Sequence, residues 1–96
     1  MSAKEMFEKL GYELISYGDK ELVNYRINSD ENSFMQVVFN NKYKSFWCGK
    51  TRNTYFNGYL QKDNTFMSVN LELLQAINKQ IEELWGEEVL KNDGNK

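Results

Sequence analysis

Few residues in this chain of 96 carry groups suited to bond-making chemistry, and one absence disposes of most mechanisms. There is no histidine. Ser–His and Cys–His nucleophile pairs are therefore impossible, as are histidine-containing zinc sites. Cys48 is the single cysteine; alone, it reads as a small buried apolar residue and excludes an internal disulfide. Gly49-Lys50-Thr51 matches the end of a phosphate-binding loop, but the glycine that such a loop needs five residues earlier is missing. The carboxylate pairs Glu82-Glu83 and Glu87-Glu88 read as a solvated helix face. Asp30-Glu31 lies in a turn without the ligand spacing of a calcium loop. Tyr55-Phe56-Asn57-Gly58-Tyr59 falls short of the basic-Gly-aromatic-Gly core of RNA-binding sheets. The expectation is a protein that is not an enzyme and that needs no metal or cofactor.

What stands out is a local composition. Residues 42–62 hold five basic residues, six aromatics and no carboxylate. The chain as a whole is acidic at −2, because residues 1–41 carry −3 and residues 63–96 carry −4 around this segment of +5. Charge distribution of this kind bears on partners and solubility, not on fold. Amphipathic aromatics ringed by cations have the composition of a binding surface. The competing structural reading is that lysines guard exposed strands against edge pairing and that aromatics favour strands whatever their task.

Elements must position these residues. With 41% apolar and 27% charged residues the composition is that of a globular domain. No apolar run approaches the ~18–20 residues of a membrane span, and the N-terminus lacks the regions of a signal peptide, so the expected location is the cytoplasm. Ser2-Ala-Lys-Glu5 matches a capping box and opens a helix over about 2–10, ended by Gly11. Strands are expected over 12–17, 22–28, 34–40 and 43–49, with Gly18-Asp19-Lys20, Ser29–Ser33 and Asn41-Lys42 as their turns. Within Thr54–Leu60, Asn57-Gly58 fits either a hairpin turn or a bulge in one continuous strand. Leu74, Ile77, Ile81, Leu84 and Trp85 recur at helical spacing over 71–85, with Ser68 or Asn70 as N-cap. Gly86 ends or interrupts that helix. The expected fold class is α+β: a two-layer domain over residues 1–91 with an antiparallel meander of four to five strands. A short N-terminal and a longer C-terminal helix would cover the same sheet face, and 92–96 would form a polar tail.

A two-residue turn at Asn41-Lys42 makes Val37 oppose Phe46 and Met35 oppose Cys48. Alternation then gathers Val23, Tyr25, Ile27, Met35, Val37, Phe39, Phe46 and Cys48 on the core face, joined by Phe56 and Leu60. The other face collects Asn24, Arg26, Gln36, Val38, Tyr43, Ser45 and Trp47, and also Tyr55 and Tyr59 if their strand is continuous. Lys42, Lys50 and Arg52 would lie in surrounding loops. The candidate partner-binding residues are thus Tyr43, Trp47, Lys50, Arg52, Tyr55 and Tyr59.

Ala3-Lys-Glu-Met-Phe-Glu-Lys-Leu-Gly-Tyr-Glu13 and Leu74-Gln-Ala-Ile-Asn-Lys-Gln-Ile-Glu-Glu-Leu84 resemble the two ends of a set of short phage and prophage proteins of low-GC Gram-positive bacteria. The matched segments cover about a quarter of the chain. Where those proteins end the helix in Leu-Gly-Trp, this chain has Leu84-Trp85-Gly86 and a longer tail. The resemblance implies the same helix–meander–helix plan and an accessory role in infection, such as binding and inhibiting a host or antiviral-defence protein. It brings no catalytic residues. The alternative is binding of a nucleic acid or nucleotide, with bases stacked on Tyr or Trp and Lys or Arg on phosphate. The acidic balance of the whole chain weighs against a long polyanion.

Overall fold

The computed structural model describes residues 1–17 and 22–94, with side chains as far as Gly86. Its elements are α1 (Ala3–Lys9), β1 (Glu13–Tyr17), β2 (Leu22–Asp30), β3 (Ser33–Asn40), β4 (Ser45–Phe56), β5 (Tyr59–Thr65) and α2 (Leu71–Gly94). The fold is α+β, with the five strands in one antiparallel sheet in chain order. Among the described residues no helix is long and apolar enough to cross a membrane. The chain divides into two compact units: α1 with everything from Val69 onward, and the sheet from Tyr12 to Ser68. The expected loop at Gly18-Asp19-Lys20 lies outside the described residues.

The helical unit follows its local signals. Ser2 Oγ accepts from the Glu5 N–H at 3.2 Å, and Glu5 Oε1 accepts from the Ser2 N–H at 3.2 Å, which completes the capping box. Gly11 adopts φ +93°, the left-handed conformation that an L side chain resists. Asn70 is the N-cap of α2, its Oδ1 accepting from the Leu73 N–H at 2.8 Å. The two helices are tied by the Ala3 N–H, which donates to Glu83 Oε2 at 2.8 Å. That bond occupies one of the amide groups a helix start leaves unpaired. Among the described side chains of α2, those of Leu73, Ala76, Ile77, Gln80 and Trp85 are buried, whereas Leu74 is exposed. The buried arc is therefore turned from the expected one, and it includes a glutamine that hydropathy alone assigns to solvent. The helix passes through Gly86 and reaches Gly94, so 92–94 continue it where a tail was expected; 95–96 lie outside the described residues.

In the sheet, the register pairs Val23 with Phe39 and Phe39 with Phe46, then Tyr25 with Val37 and Val37 with Cys48. Val23, Tyr25, Val37 and Phe39 are fully buried, and the Tyr25 and Phe39 rings meet edge to face at 6.5 Å. The expected pairing of Val37 with Phe46 and of Met35 with Cys48 is off by two residues. Asn40 Oδ1 accepts from the N–H groups of Lys42 (2.9 Å) and Tyr43 (3.2 Å), and Lys44 takes φ +54°. The loop therefore spans Asn41–Lys44 and needs one left-handed residue. A two-residue type I′ turn would need two, and neither position offers glycine. A slip of one residue inverts the faces of a strand, but a slip of two restores them. The core-face assignment of Phe46 and Cys48 thus stands on the wrong pairing. Phe56 and Leu60 do not belong to the core: both are exposed, and Leu60 lies on the opposite face.

The segment Ser29–Ser33 is tighter than expected. Ser29 is the extra residue at a register shift, and Glu31-Asn32 alone turn the chain between Asp30 and Ser33. Asp30 Oδ1 accepts from the Asn32 N–H at 2.8 Å, and this bond holds the Asp30 carboxyl below its usual range. Glu5 is lowered likewise by its bond from the Ser2 backbone. A carboxyl whose folded pKa is depressed stabilises the fold fully above its unfolded value, and that contribution is lost as pH falls through the folded value. The urea midpoint should therefore hold from neutrality down to the ordinary carboxylate range and drop below it. Asp30→Asn, titrated by circular dichroism, should flatten that drop; an unchanged slope would show that the turn carboxylate is not its source.

Candidate functional site

Strand β4 runs without a break from Ser45 to Phe56, so Lys50 and Arg52 lie within it and not in loops. Asn57 and Gly58 both have positive φ (+52° and +81°), the signature of a type I′ turn, and Phe56 pairs with Tyr59 across it. This decides between the hairpin and the bulge. The second arm, β5, continues past the expected limit at Leu60 to Thr65, a stretch in which every residue is exposed and Gln61-Lys62-Asp63-Asn64 has no alternation to read. Its signal was Asn57-Gly58 itself.

The hairpin separates the candidate residues. Trp47 and Tyr55 share the face opposite the core residues, as expected. Tyr59 pairs with Phe56, and this puts it on the other face, along with Lys50 and Arg52. Tyr43 sits in the β3–β4 loop, exposed, with the Lys42 ammonium 5.4 Å from its ring centre. The structure therefore does not assemble the six residues on one face. Arg52 stands directly opposite Asp63, and Asp30 is held lower in part by Lys50, so two of the cations already face carboxylates.

Two aromatic zones result, one at each end of the β4–β5 ribbon. The hairpin tip exposes Tyr55, Phe56, Tyr59 and Leu60, the two tyrosines by 73% and 75%. At the other end Trp47, Cys48, Asn64, Thr65 and Phe66 line an open cavity of ≈ 400 Å³. Trp47 is 42% exposed and Phe66 wholly so. Phe66, which sequence reasoning missed, follows the end of β5 and carries no periodic signal. Between the zones runs a polar relay: Gln36 Nε2 donates to Thr51 Oγ1 at 3.0 Å, and the Thr51 hydroxyl donates to Asn64 Oδ1 at 2.8 Å. It bonds β3, β4 and β5 through one buried threonine. Beside it Arg26 stacks on Phe34, 4.0 Å from the ring centre.

Trp47 is held by a glycine. A Cβ on Gly49 would lie 2.8 Å from Trp47 Cζ2 and 2.9 Å from the Thr65 carbonyl oxygen. The indole lies against the bare backbone there, and the β5 carbonyl closes the other side. Gly49→Ala should cost about 1–3 kcal/mol by overpacking and displace the indole. Urea unfolding and tryptophan emission in a Trp85→Phe background measure both; an unshifted midpoint and spectrum would contradict this packing.

Cys48 pairs with Val37 on the core face and is half-buried, and burial pushes its thiol pKa up. Less thiolate is present at neutral pH than on a free cysteine, so iodoacetamide should modify the native chain slowly and the urea-unfolded chain fast. Equal rates would place the thiol on the outer face. Among the described residues no group of three or more His, Cys, Asp or Glu could hold a metal. The Glu87-Glu88 side chains lie outside the described residues. Comparison with protein-family models, with curated proteins and with solved structures finds no match to this chain.

Proposed function

We propose that this chain is a non-catalytic accessory protein of phage type. It acts in the cytoplasm of an infected or lysogenic bacterium, and it binds and modulates a host or antiviral-defence protein through the β4–β5 ribbon. The supporting observation is the span of the exposed aromatics. Trp47 and Tyr55 are eight residues apart on one continuous strand, roughly 26 Å at ~3.3 Å per residue. No single nucleotide reaches both zones. A protein interface of about 800 Å² per partner, roughly 30 Å across, covers them together. The separation of Lys50 and Arg52 from Trp47 by strand alternation also favours a protein over a nucleic acid, which needs cations beside the stacking rings. The cavity lining offers no acid or base. Of its two nucleophile types, the Cys48 thiol has a raised pKa that suits burial and not attack, and the Thr65 hydroxyl donates to the Lys50 carbonyl with no base in the lining to activate it.

The test is capture from lysates of a low-GC Gram-positive host, infected and uninfected, on the tagged wild-type chain and on Trp47→Ala/Tyr55→Ser. A protein retained by the wild type and lost by the variant is expected. Identical protein sets, or retention of nucleic acid alone, would overturn the reading.

A further inference from the structure

The backbone of β4 names a mode of binding. In a two-residue hairpin the residues flanking the turn exchange both backbone bonds, so Phe56 and every second residue before it face β5. The odd-numbered residues face β3; accordingly the Asn53 N–H donates to the Asn32 carbonyl at 2.7 Å. By the same alternation Phe46 and Cys48 direct their N–H and C=O groups to the β5 side. The β5 pairing, however, ends at Lys50 with Thr65, and residues 66–70 carry no strand structure. Among the described residues, Phe46 and Cys48 therefore have no backbone partner on that side. The open cavity walled by Trp47 and Phe66 lies at this same place, where β5 leaves β4.

Unpaired edge groups beside an apolar pocket are the features that strand addition uses: main-chain bonds give affinity, and alternate side chains fill pockets. The cations set the chemistry of the occupant. Lys42 and Lys44 flank one end of the open edge, in the loop that leads into β4, whereas Lys50 at the other end already faces Asp30. The geometry points to an extended acidic peptide segment that adds to β4 as a strand at Phe46 and Cys48. One apolar side chain enters the Trp47–Phe66 cavity, and carboxylates at the β3–β4 loop end meet Lys42 and Lys44. This deepens the proposed function and rests on it: it states which feature of a partner protein is gripped.

The probe is the capped heptapeptide DEVFVED, titrated to millimolar concentration into the ¹⁵N-labelled chain, with amide exchange read residue by residue. The Phe46 and Cys48 amides should slow at least tenfold. The effect should be lost with a backbone N-methylated version and with KKVFVKK. Cys48→Pro removes an outward N–H without touching a β3 bond and should abolish the effect; because that variant can misfold, the N-methylated peptide tests the same bond in the unaltered protein. Three results overturn the inference: no slowing at either amide, equal slowing by the lysine peptide, or slowing that grows with protein concentration in the absence of peptide, which would assign the edge to a second copy. If lysate capture still depends on Trp47 and Tyr55 while the amides stay unprotected, the binding surface stands and strand addition fails. If capture also fails, the functional reading itself is lost.

Discussion

Phe39→Ala should be the most damaging single replacement in the sheet, costing about 3–5 kcal/mol as judged by large-to-small changes at fully buried aromatics. Phe39 has no exposed surface. It pairs with Val23 on one side and with Phe46 on the other, its ring 6.0 Å from that of Phe46 and 6.5 Å edge-on from that of Tyr25. Truncation removes the transfer energy of the ring and leaves a cavity that three strands in fixed register cannot close. A domain of this size has about 5–15 kcal/mol in total, so the loss is a large part of its stability. The comparison that isolates the cause is Phe46→Ala. That ring lies on the same face and against the same neighbour, but it is 44% exposed, so its removal returns less surface to water. Urea midpoints should separate the two variants by well over 1 kcal/mol, with Phe39→Leu between them. Equal losses would mean that burial on this face does not follow the register described above.

Trp47→Ala should have the opposite profile. Its indole is less than half exposed and rests on Gly49, so truncation should cost about 1–2 kcal/mol of stability through the area it covers. Partner binding should weaken by about 2 kcal/mol or more, roughly thirtyfold, because tryptophans at the centre of an apolar cleft dominate interface energetics. The exposed loop residue Lys42 provides the contrast, since replacing it with alanine should slow association and reduce its salt dependence while leaving dissociation nearly unchanged. Calorimetry gives the affinity of the captured partner, and surface plasmon resonance at two salt concentrations gives the rates. A Trp47→Ala variant that unfolds like Phe39→Ala, with unaltered binding in whatever fraction stays folded, would make Trp47 a core residue and the composition of residues 42–62 a structural matter.

These two side chains also show how far the sequence reaches. Alternation put Phe39 on the buried face and Trp47 on the other, and it did so through a mispaired hairpin. Side-chain parity tolerates a slip of two residues, whereas hydrogen-bond partners do not. Local signals that need only neighbouring residues were legible: the Ser2–Glu5 capping box, the left-handed stop at Gly11, the Asn70 cap and the helix that follows it. The Asn40 side chain decided the length of the β3–β4 loop by bonding two amides, a choice that no apolar pattern records. The Asn57-Gly58 turn sent Tyr59 to the opposite face from Tyr55 and so dismantled the six-residue patch that a continuous strand would have made. Phe66 and the open edge at Phe46 and Cys48 exist only because β5 stops where it does. Strand β5 is polar along most of its length, and what holds it is cross-strand backbone bonding, to which every residue type contributes alike. The sequence by itself therefore determined the order of elements, most of the buried face and the unusual composition of residues 42–62. Tertiary pairing decided which of those residues meet, because register is fixed by hydrogen bonds between segments that are distant in the chain.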